Sequence, residues 1–308
     1  MKQCRLIPAL PIALLTAPLI GAICLYPPFA RVWASIAALP ALRLLNAATM
    51  RLPFCLLEWG LITYCGLNLA AAARLCIRRR PRRALRLLGR RLARLSLLIV
   101  FAFAALWLPL YRAVETPEPV ASGAQLVDSC EALIDALNEA RPDFSVLPED
   151  LPAKRISFPF WMRALGITGL FSFPTSEALI SPELPNSAAP FVAVHEAMHA
   201  QGIAGEGLAN IAAWEECMSR GGLYADSARL WALKYSMEAV CGVDPRACAQ
   251  LQQRMHAHTF AAWREVGGGH RRGVDRRGAQ AALSALGAGA AAGDYEILAV
   301  YLASRTAV

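Results

Sequence analysis

Residues 190–210 read PFVAVHEAMHAQGIAGEGLAN, and the folding of this run decides what the rest of the chain is built around. Phe191, Val192, Ala193 and Val194 lead without interruption into His195, Glu196 and His199, so the run is helix-competent as far as Gln201. On a helix, the H-E-x-x-H spacing puts two imidazoles at i and i+4, on one face and about one turn apart. Both can then hold one Zn²⁺ ion, with Glu196 beside them to take a proton from a water molecule. His195 and His199 are therefore the expected metal ligands, Glu196 the expected catalytic base and Zn²⁺ the expected cofactor. The alternative is a pair of helix histidines that hold no metal.

A catalytic zinc needs a third protein ligand. If the helix ran on, Glu206 would lie about 10 Å beyond His199 along the axis. Gly202 and Gly205 predict a break that folds the chain back and starts a second helix at Glu206. Glu206 is the expected third ligand, with Asn210 at i+4 as a supporting residue behind it. Glu215 and Glu216, at a longer spacing, are the rivals for that role and stay open here. Tyr235 or Tyr224 would donate to the oxyanion of a tetrahedral intermediate. His256 and His258, two apart, cannot share a helix face and are expected at the surface.

The wider composition indicates a membrane protein: 56% of the 308 residues are apolar and 18% charged. The net charge of +8 is concentrated, because ten arginines and no acidic residue fall between Arg74 and Arg94. Taking those ten from the 31 basic residues leaves 21, against 23 acidic ones, so no basic face extends over the fold and nucleic acid is not the expected partner. Three apolar stretches, Leu6–Tyr26, Leu52–Ala73 and Leu95–Tyr111, have the length of membrane spans. Lys2 and Arg5 also allow a signal peptide at the first, but it is long and proline-rich for one. Arginine-rich short loops stay in the cytoplasm, so residues 74–94 are expected inside and everything after Arg112 outside. Residues 1–113 form the expected membrane anchor and 114–308 an exported domain. Glu58, the only charge in its span, either has a role there or reaches interfacial water.

In the exported part, Glu115–Pro119 reads as a linker and Ala121–Ala140 as a helix. Gly166–Phe173 (GITGLFSF) reads as a strand, either an ordinary core strand or the edge to which an extended peptide pairs. Helices are expected from Phe191, from Gly207 to Val240 with a break at Gly221-Gly222, over Arg246–Val266, and over Asp294–Ser304. The Ala- and Gly-rich Arg271–Gly293 predicts looser order. The fold class is mainly α with a small β element. Cys130, Cys217, Cys241 and Cys248 are compatible with two disulfides in an oxidising compartment, and Cys241–Cys248 is the expected pair.

From Arg155 to Cys217 the chain resembles an uncharacterised bacterial family of membrane proteins, a domain of unknown function with N-terminal spans. The likeness is carried by GITGLFSFP (166–174), Pro190-Phe191, HEAMH, Gly202 and EGLAN (206–210). KYS (234–236) and the terminal GDYEILAVYL resemble later segments of that family. Leu208 stands where the family usually has a second acidic residue, which favours Glu206 as the ligand. The E-x-x-A-N pattern is also similar to membrane CaaX-processing proteases and to phage-immunity regulator peptidases. The resemblance implies a zincin-like domain behind three spans in a bacterial inner membrane, with no substrate assigned.

The expected function is a membrane-anchored zinc metallopeptidase with its active site outside the cytoplasm, whose partners are the bilayer and a peptide or protein. Two alternatives stand beside it. One is a non-catalytic binding protein with a structural or vestigial metal site; the other is a zinc amidase acting on a non-protein envelope substrate.

Overall fold

The computed structural model describes residues 9–113, 121–268 and 297–305, and the chain is mainly helical. It divides into two compact units, one holding the chain up to Ala113 with Ser172–Glu177, the other holding the remainder. Lys2, Arg5, the linker Glu115–Pro119, Arg271–Gly293 and the first residues of the expected last helix lie outside the described residues.

The first unit consists of α1 (Ala9–Leu25), α2 (Pro27–Trp33), α3 (Leu39–Thr49), α4 (Leu56–Ile77), α5 (Pro81–Ala102) and α6 (Leu108–Ala113). Three continuous helical stretches among the described residues are long and apolar enough to cross a membrane: Pro27–Thr49, Leu56–Ile77 and Pro81–Ala113. The third contains the expected span Leu95–Tyr111, and the second overlaps the expected Leu52–Ala73 from Leu56 onward. The first overlaps no expected span: Leu14–Leu25 is a shorter apolar helix, and the stretch of sufficient length follows it. The helical stretch of residues 27–49 accommodates its prolines. Pro27 and Pro28 occupy the first turn of α2, where a missing N–H costs nothing.

Pro40 follows a π-helical turn, Ala34–Ala38, and Pro109 follows another, Phe103–Trp107. Both turns are widened just ahead of the ring, where an ordinary α-helix would clash with it. Pro109 cannot donate to the carbonyl of Ala105, and the indole Nε1–H of Trp33 donates to that oxygen instead, at 2.8 Å. The arginines form no loop. Four end α4 and its tight turn, and the other six lie on the first half of α5, because leucines interleave with them at helical spacing. Arg91 donates to Asn68 Oδ1 at 2.8 Å and its carbonyl accepts from the Tyr64 hydroxyl at 2.9 Å, joining α4 to α5.

α4 begins at Cys55, whose side chain does not cap it. The buried carboxylate of Glu177 does so, accepting from the N–H groups of Leu56 and Leu57 at 2.9 Å each. Ser176 beside it donates to Leu42 O at 2.8 Å, and its own carbonyl accepts from Asn46 Nδ2 at 2.6 Å. Glu58, in the first turn of α4, is buried rather than wet.

The second unit opens with α7 (Gly123–Ala140), started by a capping box between Ser122 and Gln125. A small sheet follows, made of β1 (Lys154–Arg155), β2 (Gly169–Ser172) and β3 (Glu177–Ile180), with α8 (Phe160–Leu165) between its first two strands. The strand order is β1-β3-β2 with β1 parallel to β3, so β2 is an edge. Then come α9 (Ala189–Ala200), α10 (Glu206–Arg220), α11 (Gly222–Val243), α12 (Pro245–Arg254), α13 (Ala257–Gly268) and α14 (Ile297–Arg305).

α11 is the axis of the core, burying Leu230, Trp231, Leu233 and Met237. The single helix expected over Arg246–Val266 is two, split at Met255 in extended conformation. Asn138 of α7 holds that split: its amide donates to Arg254 O at 3.1 Å and accepts from His256 N at 2.9 Å and Thr259 Oγ1 at 2.8 Å. Cys241 and Cys248 form a disulfide. Cys130 and Cys217 do not pair; both are free thiols buried in the core.

Candidate metal centre

α9 is apolar around its whole circumference, from Phe191 to Val194 and on to Met198 and Ala200, so it is buried on all sides. That burial carries His195, Glu196 and His199 into the interior, at 8%, 6% and 4% exposure. The helix ends in a Schellman closure, with Gly202 N donating to His199 O at 2.9 Å and Ile203 N to Met198 O at 3.2 Å. Gly202 takes φ +100° there, which only glycine adopts readily. Gly205 has an ordinary φ of −74°, so the break rests on Gly202 alone.

The reversal places Glu206 at the first position of α10, facing back to α9. Its Oε2 lies 3.2 Å from His195 Nε2 and its Oε1 3.8 Å from His199 Nε2. The two imidazole rings are 4.8 Å apart and nearly perpendicular. One donor atom from each of the three residues can be chosen so that all lie within 4.8 Å of one another. The carbonyl of Ile203 returns to His199 Nδ1 at 2.6 Å. An Nδ1–H donating to it leaves Nε2, the atom facing Glu206, as the one with a free lone pair. His195 Nδ1 is buried without a hydrogen-bond partner among the described residues.

The charges follow from this packing. Burial drives the Glu196 carboxyl up, the neighbouring imidazoles pull it partly back, and the net effect leaves it at about 7. Burial alone would lower His199, but the Glu206 carboxylate outweighs it and pushes the ring up to about 9. Burial raises Glu206 too, yet hydrogen bonds from the two imidazoles hold it well below the usual carboxylate range. Two imidazoles and one carboxylate aimed at a common point, with His199 held from behind by the Ile203 carbonyl, fit a divalent transition metal.

Two residues that the sequence reading did not single out shape this site. Phe171 of β2 donates its N–H to Glu196, and its ring lies 6.2 Å from that of His199. Gly169 faces α9 so closely that a Cβ would overlap Glu196 Oε1 and come within 2.7 Å of Val192 Cγ1. A glycine inside a strand signals such a close approach, so Gly169 was findable. The Ile203 carbonyl had no such signal, since any residue supplies one.

Of the other predicted residues, Asn210 is buried on α10 and its Nδ2 has no partner among the described residues. Glu215 accepts from the Tyr301 hydroxyl at 2.6 Å and Glu216 pairs with Arg220 at 2.8 Å, both on exposed side chains outside the His–His–Glu cluster. Tyr224 donates to Asp150, its hydroxyl pushed up to about 12 by burial and by that bond. Tyr235 lies with its ring against Trp231 and beneath the Lys234 ammonium. His256 is exposed and His258 half-buried.

Residues 145–266, a stretch that contains the whole site, match a family described as "Protein of unknown function (DUF3810)". No curated protein and no solved structure matches the chain.

Proposed function

We propose that this chain is a membrane-anchored, zinc-dependent peptidase with a zincin-like site: His195, His199 and Glu206 hold the ion and Glu196 is the general base. The observation that carries this reading is the convergence of three donor atoms within 4.8 Å, from two helices joined by a glycine reversal. Bound there, Zn²⁺ supplies a Lewis acid and lowers the pKa of water. Glu196 takes the proton of the attacking water and hands it to the leaving amine nitrogen. The Phe171 N–H and the bare Gly169 backbone keep that carboxylate oriented. Alternate residues of β2 turn their backbone groups away from β3; Ser181 N donates to Thr168 O, so Gly169 and Phe171 face the edge of the sheet, where the Phe171 N–H is already held by Glu196. An extended peptide pairs there with Gly169 as its neighbour, beside Glu196.

We place the second unit outside the cytoplasm of a bacterial inner membrane. The side taken by residues after Ala113 depends only on the last span and the arginines at its start. The altered position of the first span leaves it unchanged, and the Cys241–Cys248 disulfide suits an oxidising compartment.

Metal analysis of the purified full-length chain tests the centre. One zinc per chain is expected, lost in Glu206→Ala and kept in Glu215→Ala and Glu216→Ala. Glu196→Gln keeps the metal and loses about 10²–10⁴-fold in turnover. Full zinc in Glu206→Ala would overturn the ligand set, and undiminished activity in Glu196→Gln would overturn the base.

A further inference from the structure

Upstream of Gly169, the same strand borders a cavity of about 220 Å³, walled by α8, the segment after β3, the start of α9, α11 and α13. We infer that this cavity is the pocket that selects the peptide, by accepting one large apolar side chain close to the bond to be cleaved. The inference rests on the peptidase reading above and adds the substrate's chemistry to it.

The position follows from chain adjacency. Gly169 abuts Glu196, and the pocket is lined by Thr168, Ile167 and Gly166, the three residues before it. Strand residues advance about 3.3 Å each, so a peptide paired along β2 brings the side chain one or two positions from the reacting bond over this cavity. Gly166, at φ +64°, ends α8 and turns the chain into the strand.

The chemistry follows from the walls, whose polar groups bind one another. Arg163 pairs with Glu183 at 2.9 Å on the exposed rim. Ser187 donates to Glu265 at 2.6 Å, and Trp231 Nε1–H to Ala188 O at 3.2 Å. Ser181 Oγ accepts from Glu183 N at 3.2 Å, and the apolar part of the lining is Ile167, Leu184, Pro185, Ala188, Val266 and the Trp231 ring, already braced before anything enters. At about 220 Å³ the space is below the roughly 300–1,000 Å³ of sites that enclose a whole small molecule, and it suits a single side chain.

The test uses the full-length chain in detergent with zinc and a library of end-blocked octapeptides randomised at each position. Binding is read by sequencing the peptides retained on Glu196→Gln, and cleavage by sequencing the products of the unaltered protein. Leu or Phe is expected to exceed Ala by about tenfold at one fixed position among the retained peptides. Leu184→Trp should shift that position to smaller residues and Leu184→Ala to larger ones; opposite shifts from one site exclude a general loss of fold. A flat profile, or one that neither substitution moves, overturns the pocket. Selective retention without cleavage overturns the peptidase reading and supports the pocket; cleavage with no Leu184-dependent position does the reverse.

Discussion

Gly169 and His199 show how much of the proposed chemistry hangs on single side chains. A methyl group at Gly169 meets the far end of Glu196, which can swing aside, and Val192 Cγ1 at 2.7 Å. Gly169→Ala is therefore expected to fold and to bind zinc, but with its general base displaced. The expected loss is about 10²-fold in kcat/KM at unchanged zinc content; undiminished activity would show that Glu196 does not work from this position. In the metal-free chain His199 keeps its proton to about pH 9, because the Glu206 carboxylate opposes it. The raised value contributes stability that is complete below the ordinary 6.5 and is lost as pH rises through about 9. A ligating imidazole must be neutral, so zinc binding at pH 7 should release a proton. Apparent affinity should rise about tenfold per pH unit below that value and flatten above it. Calorimetry in buffers of different ionisation enthalpy measures this, and zero proton release would exclude a protonated His199 in the metal-free chain.

At the scale of elements, the ends and breaks of helices carry the information that local patterns lack. α4 has no cap of its own, and Glu177, far away in sequence, holds its first two N–H groups. Glu177→Ala strands buried donors and is expected to cost about 1–3 kcal/mol, with Glu177→Gln costing less because an acceptor remains. Unfolding in detergent measures both, and equal stability of Glu177→Ala and wild type would refute the cap. The HEAMH helix, its glycine end and the helix from Glu206 were legible because each depends on neighbours in sequence. The split at Met255 was not, since it is held by Asn138 from another helix. Nor were the helices through Pro40 and Pro109, where a widened turn and the Trp33 indole take up what proline removes.

For the molecule as a whole, the arginines at the start of the last span decide the proposed orientation. α5 and its continuation to Ala113 form 33 helical residues, about 50 Å against a hydrocarbon core of about 30 Å. In the proposed topology the arginine-bearing first half extends beyond the bilayer and the apolar second half crosses it. Alkaline phosphatase fused after Arg80 should be inactive, and fused after Ser122 active. The reverse pattern would place the metal centre inside the cell.

The sequence alone determined the mainly helical class, the apolar N-terminal helices and the placing of His195 and His199 on one face of a helix, because hydrophobic period and i,i+4 spacing are local properties of a helix. It favoured Glu206 as the third ligand and left Glu215 and Glu216 open as rivals. Only tertiary structure separates the three by position, since the reversal at Gly202 turns Glu206 onto the two imidazoles while Glu215 and Glu216 meet surface partners. Tertiary structure also decided that Gly169 and Phe171 belong to the site, that Cys130 and Cys217 remain apart, and that Glu177 caps a helix some 120 residues earlier. Each of these is a meeting of segments distant in sequence, and pairwise packing of that kind leaves no periodic trace in the chain.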